Sequence, residues 1–320
     1  MATTQTSLLG EEFEKVTKGS IRERFVVSPF TVLNSRDGWW QKRKKHWINF
    51  GIESEVGRGA CRPHGKDTSR FSNRAYTCND GKQAKYDYLP DIKTGTSIFD
   101  PVLCELMYRW FCPHGGQIVD PFAGGSVRGV MASLLGRGYW GCDLSQEQIG
   151  ANNVQGKAVV PESIPTWVCG DSANELDDAP DADMIFSCPP YGNLECYSDD
   201  PRDLSTMEYA EFVEQYKHII SLSCKCLKQD RFACFVVGNF RGKDGYYNDL
   251  VSDTTRAFES VGVRLYNEAI LTTPVGSLPI RISKQFIAGR KLGRTHQNIL
   301  VFVKGDWKKA VKALGAIETK

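Results

Sequence analysis

From about residue 97 onward the chain alternates between strand-like and helix-like segments, and this alternation limits the fold more than any other feature of the sequence. The hydrophobic pattern predicts helices at 101–111, 127–135, 145–153, 207–227 and 247–260. Apolar runs predict strands at 117–120, 139–143, 167–169, 184–188, 231–238, 263–271 and 298–303. Strands that alternate with helices of this length form a mainly parallel sheet covered by helices on both faces. The sequence therefore predicts an α/β fold.

The composition is that of an ordinary globular protein, with 41% hydrophobic and 24% charged residues in a chain of 320. The N-terminus, MATTQTSLLGEEFEK, is polar and acidic, and no apolar run approaches the roughly 18 residues that span a bilayer. We therefore expect a cytoplasmic protein without a membrane segment. The 11 cysteines are an odd number and several lie in apolar runs, so we expect reduced thiols. The sequence indicates no oligomeric state.

The first 95 residues differ from the rest because their strand and helix patterns are weak and they are rich in Gly, Arg, Lys and aromatic residues. Residues 1–90 hold 16 Lys/Arg and 10 Asp/Glu, a balance of +6, whereas the other 230 hold 24 and 28, a balance of −4. A basic N-terminal part indicates either a polyanion partner or a solvated surface. We divide the chain into an N-terminal extension (1–95), an α/β catalytic domain (96–306) and a C-terminal tail (307–320).

A glycine-rich turn, IVDPFAGGSVRG at 118–129, follows the first of the predicted parallel strands and opens a helix. Glycines at 124 and 125 would let the backbone approach a ligand closely. The next strand ends at Asp143, placed to hold two ribose hydroxyls, and the third is followed by Asp171 and Ser172, placed near an adenine amino group. One such acid could equally be a helix cap, but three strand ends in register favour a nucleoside site. The lysine of a triphosphate-binding loop is missing, whereas a dinucleotide remains open on these residues alone.

A diproline turn ends the fourth strand, in the sequence IFSCPPYGNLECYSDDP at 185–201. Two consecutive prolines terminate a strand and leave backbone carbonyls without partners in the sheet. The carbonyl of Pro189 is the best acceptor for the hydrogens of a base amino group, and accepting them makes that nitrogen a better nucleophile. Tyr191 can stack on a base that has left the duplex. The pattern indicates methylation of an amino nitrogen, a reaction that needs no metal.

Both motifs resemble those of a known family. Asp120–Gly125 and Cys188–Tyr191 look like the cofactor and catalytic motifs of amino-group DNA methyltransferases, the N6-adenine and N4-cytosine type, and the resemblance runs from about 94 to 305. The stretches SPFTVLNSRDGWWQKRKKHWINFGIESEVGRG and NLECYSDDPRDLS are similar to a group of methylases encoded by phages and bacteria.

The resemblance implies a seven-stranded, Rossmann-like class I methyltransferase fold, with S-adenosylmethionine as donor and S-adenosylhomocysteine as product. It implies double-stranded DNA as substrate, with the target base flipped out and N6-adenine favoured over N4-cytosine. A cognate restriction enzyme is not readable from the sequence. The segment SIFD at 97–100 resembles the one that covers the methionine end of the cofactor. The implied cofactor residues are Ser97, Phe99, Asp120, Phe122, Gly124, Gly125, Asp143, Asp171 and Ser172, and the catalytic ones are Cys188, Pro189, Pro190 and Tyr191.

One residue departs from the family pattern. The first position of the Pro-Pro-Tyr motif usually holds Asp, Asn or Ser, whose oxygen accepts one amino hydrogen, but here it is Cys188, a weak acceptor. Either the backbone carbonyls suffice, or Ser187 or a nearby carboxylate helps. A nucleophilic cysteine, as in C5-cytosine methylation, is disfavoured because that chemistry places the cysteine after a proline in a different turn.

Substrate contacts are expected from residues at the same edge of the sheet and from two basic segments. The first segment is a basic connection at 281–294 that contains glycines, and it could bind phosphates or be a solvated loop. The second is a basic run at 42–45 flanked by tryptophans, and it could bind phosphates or be the basic face of a helix over packed tryptophans. The expected contacts are Glu195, Asp199, Asn239, Arg241, Arg290, Lys291, Arg294, Lys42 and Arg43. Cys61, His64 and Cys78 lack a second tidy pair for zinc, so no metal is expected.

Two other interpretations stay open. The same turn serves enzymes that methylate an RNA base amino group or a protein glutamine, and a catalytically inactive DNA-binding module could keep the fold with Cys188 in place of an active residue. The basic, aromatic extension and the lack of an evident RNA-binding module favour DNA.

Overall fold

The computed structural model describes residues 21–52, 99–192, 200–276 and 278–317, together with the short stretches 4–6, 12–14, 62–63 and 195–196 and residue 198. The helices are α1 (Ile21–Phe25), α2 (Gly38–Ile48), α3 (Pro101–Phe111), α4 (Val127–Leu134), α5 (Gln146–Val159), α6 (Ser172–Glu175), α7 (Tyr209–Cys226), α8 (Leu250–Glu259), α9 (Leu278–Gly289) and α10 (Trp307–Leu314). The strands are β1 (Thr4–Thr6), β2 (Glu12–Glu14), β3 (Val32–Asn34), β4 (Arg62–Pro63), β5 (Gln117–Asp120), β6 (Gly138–Asp143), β7 (Thr166–Cys169), β8 (Ala182–Ser187), β9 (Glu195–Cys196), β10 (Leu227–Val237), β11 (Phe240–Arg241), β12 (Tyr247–Asn248), β13 (Val263–Thr272) and β14 (His296–Lys304).

The central sheet has eight strands in the order β3-β13-β14-β10-β8-β5-β6-β7. Strands β10, β8, β5, β6 and β7 run parallel, and β14 lies antiparallel between β10 and β13. The sheet reverses its winding between β5 and β8, as in doubly wound sheets, which open a ligand crevice at that point. This is the Rossmann-like class I methyltransferase fold, and the prediction is confirmed.

Each face of the sheet has its own hydrophobic core, because successive side chains of a strand point to opposite faces. In β10, Phe232, Cys234 and Val236 join the core under α3 and α4, whereas Ala233 and Phe235 join the core under α7 and α8. Because both faces of the sheet are covered, side chains that point to either face are buried, and the strands appear in the sequence as continuous apolar runs. Eight cysteines of the described part are free thiols, most of them buried.

The N-terminal extension adds a strand to the central sheet, which the sequence did not predict. Strand β3 pairs in parallel with β13 and adds the eighth strand. Helix α2 packs on α3 through Trp40 and Trp47, which are buried in the same core as α3. A three-residue strand is too short to show a period-2 pattern, so its position depended on tertiary pairing.

The connection between the last two strands differs from the expected loop. Residues 278–289 form α9, with Pro279 in its first turn, where a missing N–H is tolerated. The helix ends at Gly289, and Arg290 follows with φ 51°, in the left-handed region that residues after a helix often adopt. None of the described helices combines the length and the apolar character that crossing a bilayer requires.

Candidate active site

A cavity of about 790 Å³ opens at the carboxyl ends of the parallel strands. It brings together the glycine turn after β5, the acidic ends of β6 and β7 and the diproline turn after β8. The predicted residues that line it are Phe99, Phe122, Gly124, Asp143, Asp171, Ser172, Cys188, Pro189, Pro190, Tyr191, Asn239 and Arg294. Its volume is in the range of sites for small molecules and cofactors.

The glycine turn and the acidic end of β6 are joined by a hydrogen bond. Gly124 has φ +49°, a left-handed conformation that favours glycine, and its N–H donates to Asp143 Oδ2 at 2.9 Å. The Ser145 N–H donates to Asp143 Oδ1 at 2.9 Å. Because each carboxylate oxygen has two lone pairs, both can still accept from a hydroxyl in the cavity. Burial raises the pKa of Asp143, and the two backbone N–H groups work against that rise.

The end of β7 carries the second predicted acid. Asp171 caps the N-terminus of α6, and its Oδ1 accepts from the Ala173 N–H at 2.9 Å. Ser172 donates to the Pro121 carbonyl at 2.6 Å, which ties this turn to the glycine turn. Asp203, a cavity residue that the sequence did not single out, accepts from the Ser205 N–H at 2.8 Å.

Asp120 was predicted to contact the cofactor, but it does not line the cavity. Its carboxylate is fully buried and accepts from Tyr139 at 2.7 Å, from Ser187 and from Arg128. The predicted Gly125 is not among the lining residues either. Asp120 therefore acts beneath the site, by holding its neighbours.

Arg128 is the residue that Asp120 holds at the cavity wall. Burial disfavours the charge, but Asp120 keeps the pKa of Arg128 above its usual value. The guanidinium donates to the Ala123 carbonyl at 2.9 Å and lies over the Phe99 ring at 4.7 Å. Sequence reasoning missed Arg128, although it stands inside the glycine motif, because its partner is eight residues away across the turn.

The diproline turn lines the cavity directly after β8. The Tyr191 hydroxyl accepts from Gln297 Nε2 at 2.7 Å and lies 3.8 Å from Cys188 Sγ. Burial raises the pKa of Tyr191 well above its usual value, so the hydroxyl stays protonated. Ser187, considered as a helper for the weak acceptor Cys188, is fully buried and donates to Asp120 instead. That option is therefore wrong.

Arg294 was predicted to contact phosphate, yet it binds the protein's own backbone. Its guanidinium donates to the Asn239 carbonyl, to the His296 carbonyl at 2.8 Å and to Asn298 Oδ1 at 2.8 Å. A Cβ on Gly238 would lie 2.9 Å from this guanidinium, so the glycine permits the close approach. Burial lowers the pKa of Arg294.

The predicted Asn239 lines the cavity, but its side-chain amide is used elsewhere. It donates to Asp249 Oδ1 at 2.8 Å and accepts from the Val251 N–H at 2.9 Å. Asn239 therefore anchors the start of α8 at the edge of the cavity.

Five other predicted substrate residues do not line the cavity. Arg241 lies over the Tyr247 ring at 4.2 Å in the β11–β12 hairpin. Lys42 is exposed on α2, and Arg290 and Lys291 follow α9. Arg43 is bound to the buried Glu105 and has no place among the cavity residues.

Some expectations lie outside the described residues: Ser97, Asp199, the side chain of Glu195, Cys61, His64 and Cys78. Within the described residues, no group of three His, Cys, Asp or Glu side chains is arranged to hold a metal ion.

The N-terminal extension reaches the cavity through two residues that the sequence did not single out as cofactor contacts. Ser35 follows β3, and Lys44 lies on α2. Lys44 Nζ is 3.3 Å from Asp100 Oδ2, next to Phe99. The packing of α2 on α3 brings this lysine to the site, which explains why the basic run at 42–45 gave no sign of a cofactor contact.

Known proteins resemble this chain in structure and not in sequence. No family model and no curated protein matches the sequence. TrmN from Thermus thermophilus matches with a TM-score of 0.45 and 16% identity over 64% of this chain and 49% of that chain. Magnesium protoporphyrin IX methyltransferase from Synechocystis PCC 6803, solved with bound SAM, has a TM-score of 0.38 and 15% identity over 60% of this chain and 71% of that one. A candidate DNA modification methylase, also from Thermus thermophilus, has a TM-score of 0.32 and 16% identity over 43% of this chain and 51% of that one.

This chain thus spans about half the length of TrmN, with which it shares a distant structural likeness. At identities of 15–16% and TM-scores below 0.5, these neighbours do not identify a donor or a substrate. Both have to be inferred from the cavity of the chain itself.

Proposed function

We propose that the protein transfers a methyl group from S-adenosylmethionine to an exocyclic amino nitrogen of a flipped-out base in DNA, with adenine N6 ahead of cytosine N4. The observation that carries the proposal is the meeting of a nucleoside cradle and a diproline turn in one cavity. Either feature alone is compatible with many α/β enzymes, whereas the two together pair a methyl donor with an amino acceptor.

The cradle fits the adenosine half of the donor. Asp143 is held by the Gly124 and Ser145 N–H groups, so its two oxygens are oriented before any ligand arrives. We assign the ribose hydroxyls to these oxygens and the adenine amino group to Asp171. We assign the aromatic ring of Phe99, under the guanidinium of Arg128, to the methionine half.

The turn fits the acceptor. An amino lone pair delocalised into a base ring is a poor nucleophile, and we assign the Pro189 carbonyl to accept one of its hydrogens. S-adenosylmethionine supplies an electrophilic methyl group and leaves as S-adenosylhomocysteine. Tyr191, anchored by Gln297, holds the base by stacking, so that positioning supplies much of the rate. The methylated nitrogen releases one proton to water, and Cys188 is assigned no proton or covalent bond.

The test is methyl transfer from tritiated S-adenosylmethionine to unmethylated DNA, to total RNA and to protein, followed by nucleoside mass spectrometry. We expect N6-methyladenine in DNA. Label in RNA or in glutamine would move the same chemistry to the other substrate classes. Bound cofactor with no label in any of them would support the inactive DNA-binding module.

Two matched pairs of variants test the assigned roles. Tyr191→Ala should lower the transfer rate by roughly 10- to 100-fold, since stacking on one base is worth about 1–3 kcal/mol, while Tyr191→Phe should keep most of the rate. Cys188→Ala should stay within about threefold of the native enzyme if the Pro189 carbonyl suffices. A complete loss in Cys188→Ala, rescued by Cys188→Ser, would instead give the side chain at 188 a direct part.

A further inference from the structure

Helix α9 exposes several of its apolar side chains. Ile280 and Ile287 are 61% and 73% exposed, and Leu292, just after the helix, is 71% exposed. Ile280, Lys284 and Ile287 are spaced i, i+4 and i+7, so they share one face of the helix. A surface helix normally turns its apolar stripe inward, and an exposed one marks an interaction surface.

The charge of this segment limits the partner. Residues 278–294 hold five Lys/Arg and no Asp/Glu. Exposed Lys284 lies between the two isoleucines on the same face, and the exposed Arg290 guanidinium lies over the Phe286 ring at 5.2 Å. Positive charge interleaved with branched apolar groups complements a phosphate backbone around a stack of bases.

The segment is also joined to the cavity at both ends. Thr273 and Pro274, just before it, and Arg294, its last residue, line the cavity. The neighbouring β11–β12 hairpin belongs to the same surface, because a Cβ on Gly245 would lie 3.2 Å from Lys291 Nζ. Tyr246 of that hairpin is 77% exposed.

We propose that α9 with Leu292 is a wedge for double-stranded DNA, whose basic residues hold the backbone while Ile287 and Leu292 enter the base stack beside the cavity. The wedge fills the gap that a base leaves when it turns into the site. This inference rests on the proposed function, since it names the surface by which the same site would receive its substrate.

The test is fluorescence anisotropy with the full chain and S-adenosylhomocysteine. The probes are two 20-base-pair duplexes of identical random sequence, one intact and one with a single abasic site. Insertion requires less unstacking at an abasic site, so the native protein should bind that duplex roughly tenfold more tightly. Ile287→Ala with Leu292→Ala should lower this preference to about twofold or less. The control Val154→Ala, at a position 69% exposed on α5, should keep it.

The basic residues should behave differently from the wedge. Lys284→Ala with Lys291→Ala should weaken binding to both duplexes equally and lower the slope of log affinity against log salt by about 2. Lys157→Ala, an exposed lysine on α5, is the control and should leave the affinity for both duplexes and the salt slope close to the native values.

Three outcomes would overturn the proposal: no preference in the native protein, a preference that survives in the Ile287 and Leu292 variant, or loss of a dimer or of vesicle binding in that variant by light scattering or flotation. Methyl incorporation distinguishes failure of the wedge from failure of the proposed function. If the native protein methylates DNA and the wedge variants bind both duplexes as it does, the wedge is wrong and the function stands. If the native protein prefers the abasic duplex but transfers no methyl group, the proposed function is wrong.

Discussion

The basic segments around helices α2 and α9 carry similar charge, and both were predicted to bind phosphate. In the structure, however, their side chains have different contacts. Helix α2 holds four Lys or Arg, and α9 together with the residues up to Arg294 holds five; neither stretch contains an acidic residue. In α2, Arg43 is paired with the buried Glu105, Lys44 lies beside Asp100, and Trp40 and Trp47 are in the core. In α9, Ile280 and Ile287 are exposed.

The difference lies in the surface opposite each helix. Glu105 on α3 is fully buried and also accepts from Arg109 and from the Trp47 indole, so α2 is held as part of the body. No comparable buried acid is described beside α9. A basic run therefore indicates a polyanion partner only where the fold supplies no carboxylate of its own, and four predictions test that distinction.

The largest effect is expected from Arg43→Met. Removing one of the cations bound to Glu105 leaves Arg109 and Trp47 as its partners, so we expect a loss of about 2 kcal/mol in the free energy of unfolding. Urea denaturation measures it, with Lys42→Met on the same helix as a control that should change stability by less than about 0.5 kcal/mol. DNA affinity per folded molecule should stay the same. A stable variant with tenfold weaker DNA binding would remove the difference between the helices.

Arg294→Met tests the residue that joins α9 to the cavity. It loses the hydrogen bonds to Asn239, His296 and Asn298, so the methyl-transfer rate should fall roughly 10- to 30-fold, with unchanged salt dependence of DNA binding. Arg294→Lys should not rescue the rate, because an ammonium cannot reproduce the planar fork. A salt slope lower by about 1 would restore the predicted phosphate contact.

Lys44→Met tests whether α2 serves the cofactor and not DNA. A cation beside Phe99 at the cavity is placed to attract the carboxylate of a methionine moiety, so S-adenosylhomocysteine should bind about five- to tenfold more weakly by calorimetry. Lys45→Met, one residue on and exposed, should bind it normally. Equal affinities in the two variants would leave α2 a purely structural role.

The smallest effect is expected from Ile287→Ser on α9, which should change the unfolding free energy by less than about 0.5 kcal/mol, because the side chain already lies in water. Ile52, just after α2 and 6% exposed, is the matched position, and Ile52→Ser should cost several times more. Thermal unfolding of both variants gives the comparison. Equal losses would mean that Ile287 is packed, and α9 would then be an ordinary surface helix.

The sequence by itself determined the order of the long helices and strands from α3 to β14, although not α6, α9 or the short strands β9, β11 and β12. It also determined which residues meet at the cavity from consecutive strand ends. These are local properties: period-2 and period-3.6 patterns, a glycine that needs a left-handed turn at 124, and prolines that end β8. Because parallel strands end at one edge, Asp143, Asp171 and Tyr191 could be grouped without coordinates.

Only the tertiary structure decided which charged groups are already bound. The sequence could not reveal that Asp120 accepts hydrogen bonds from Arg128 and Ser187, or that Arg43 is paired with Glu105, 62 residues away. It also could not place β3 beside β13 or Lys44 at the cavity. A charged side chain has the same appearance in a sequence whether it faces water or a buried partner, and burial, which arises from contacts between distant segments, makes the difference.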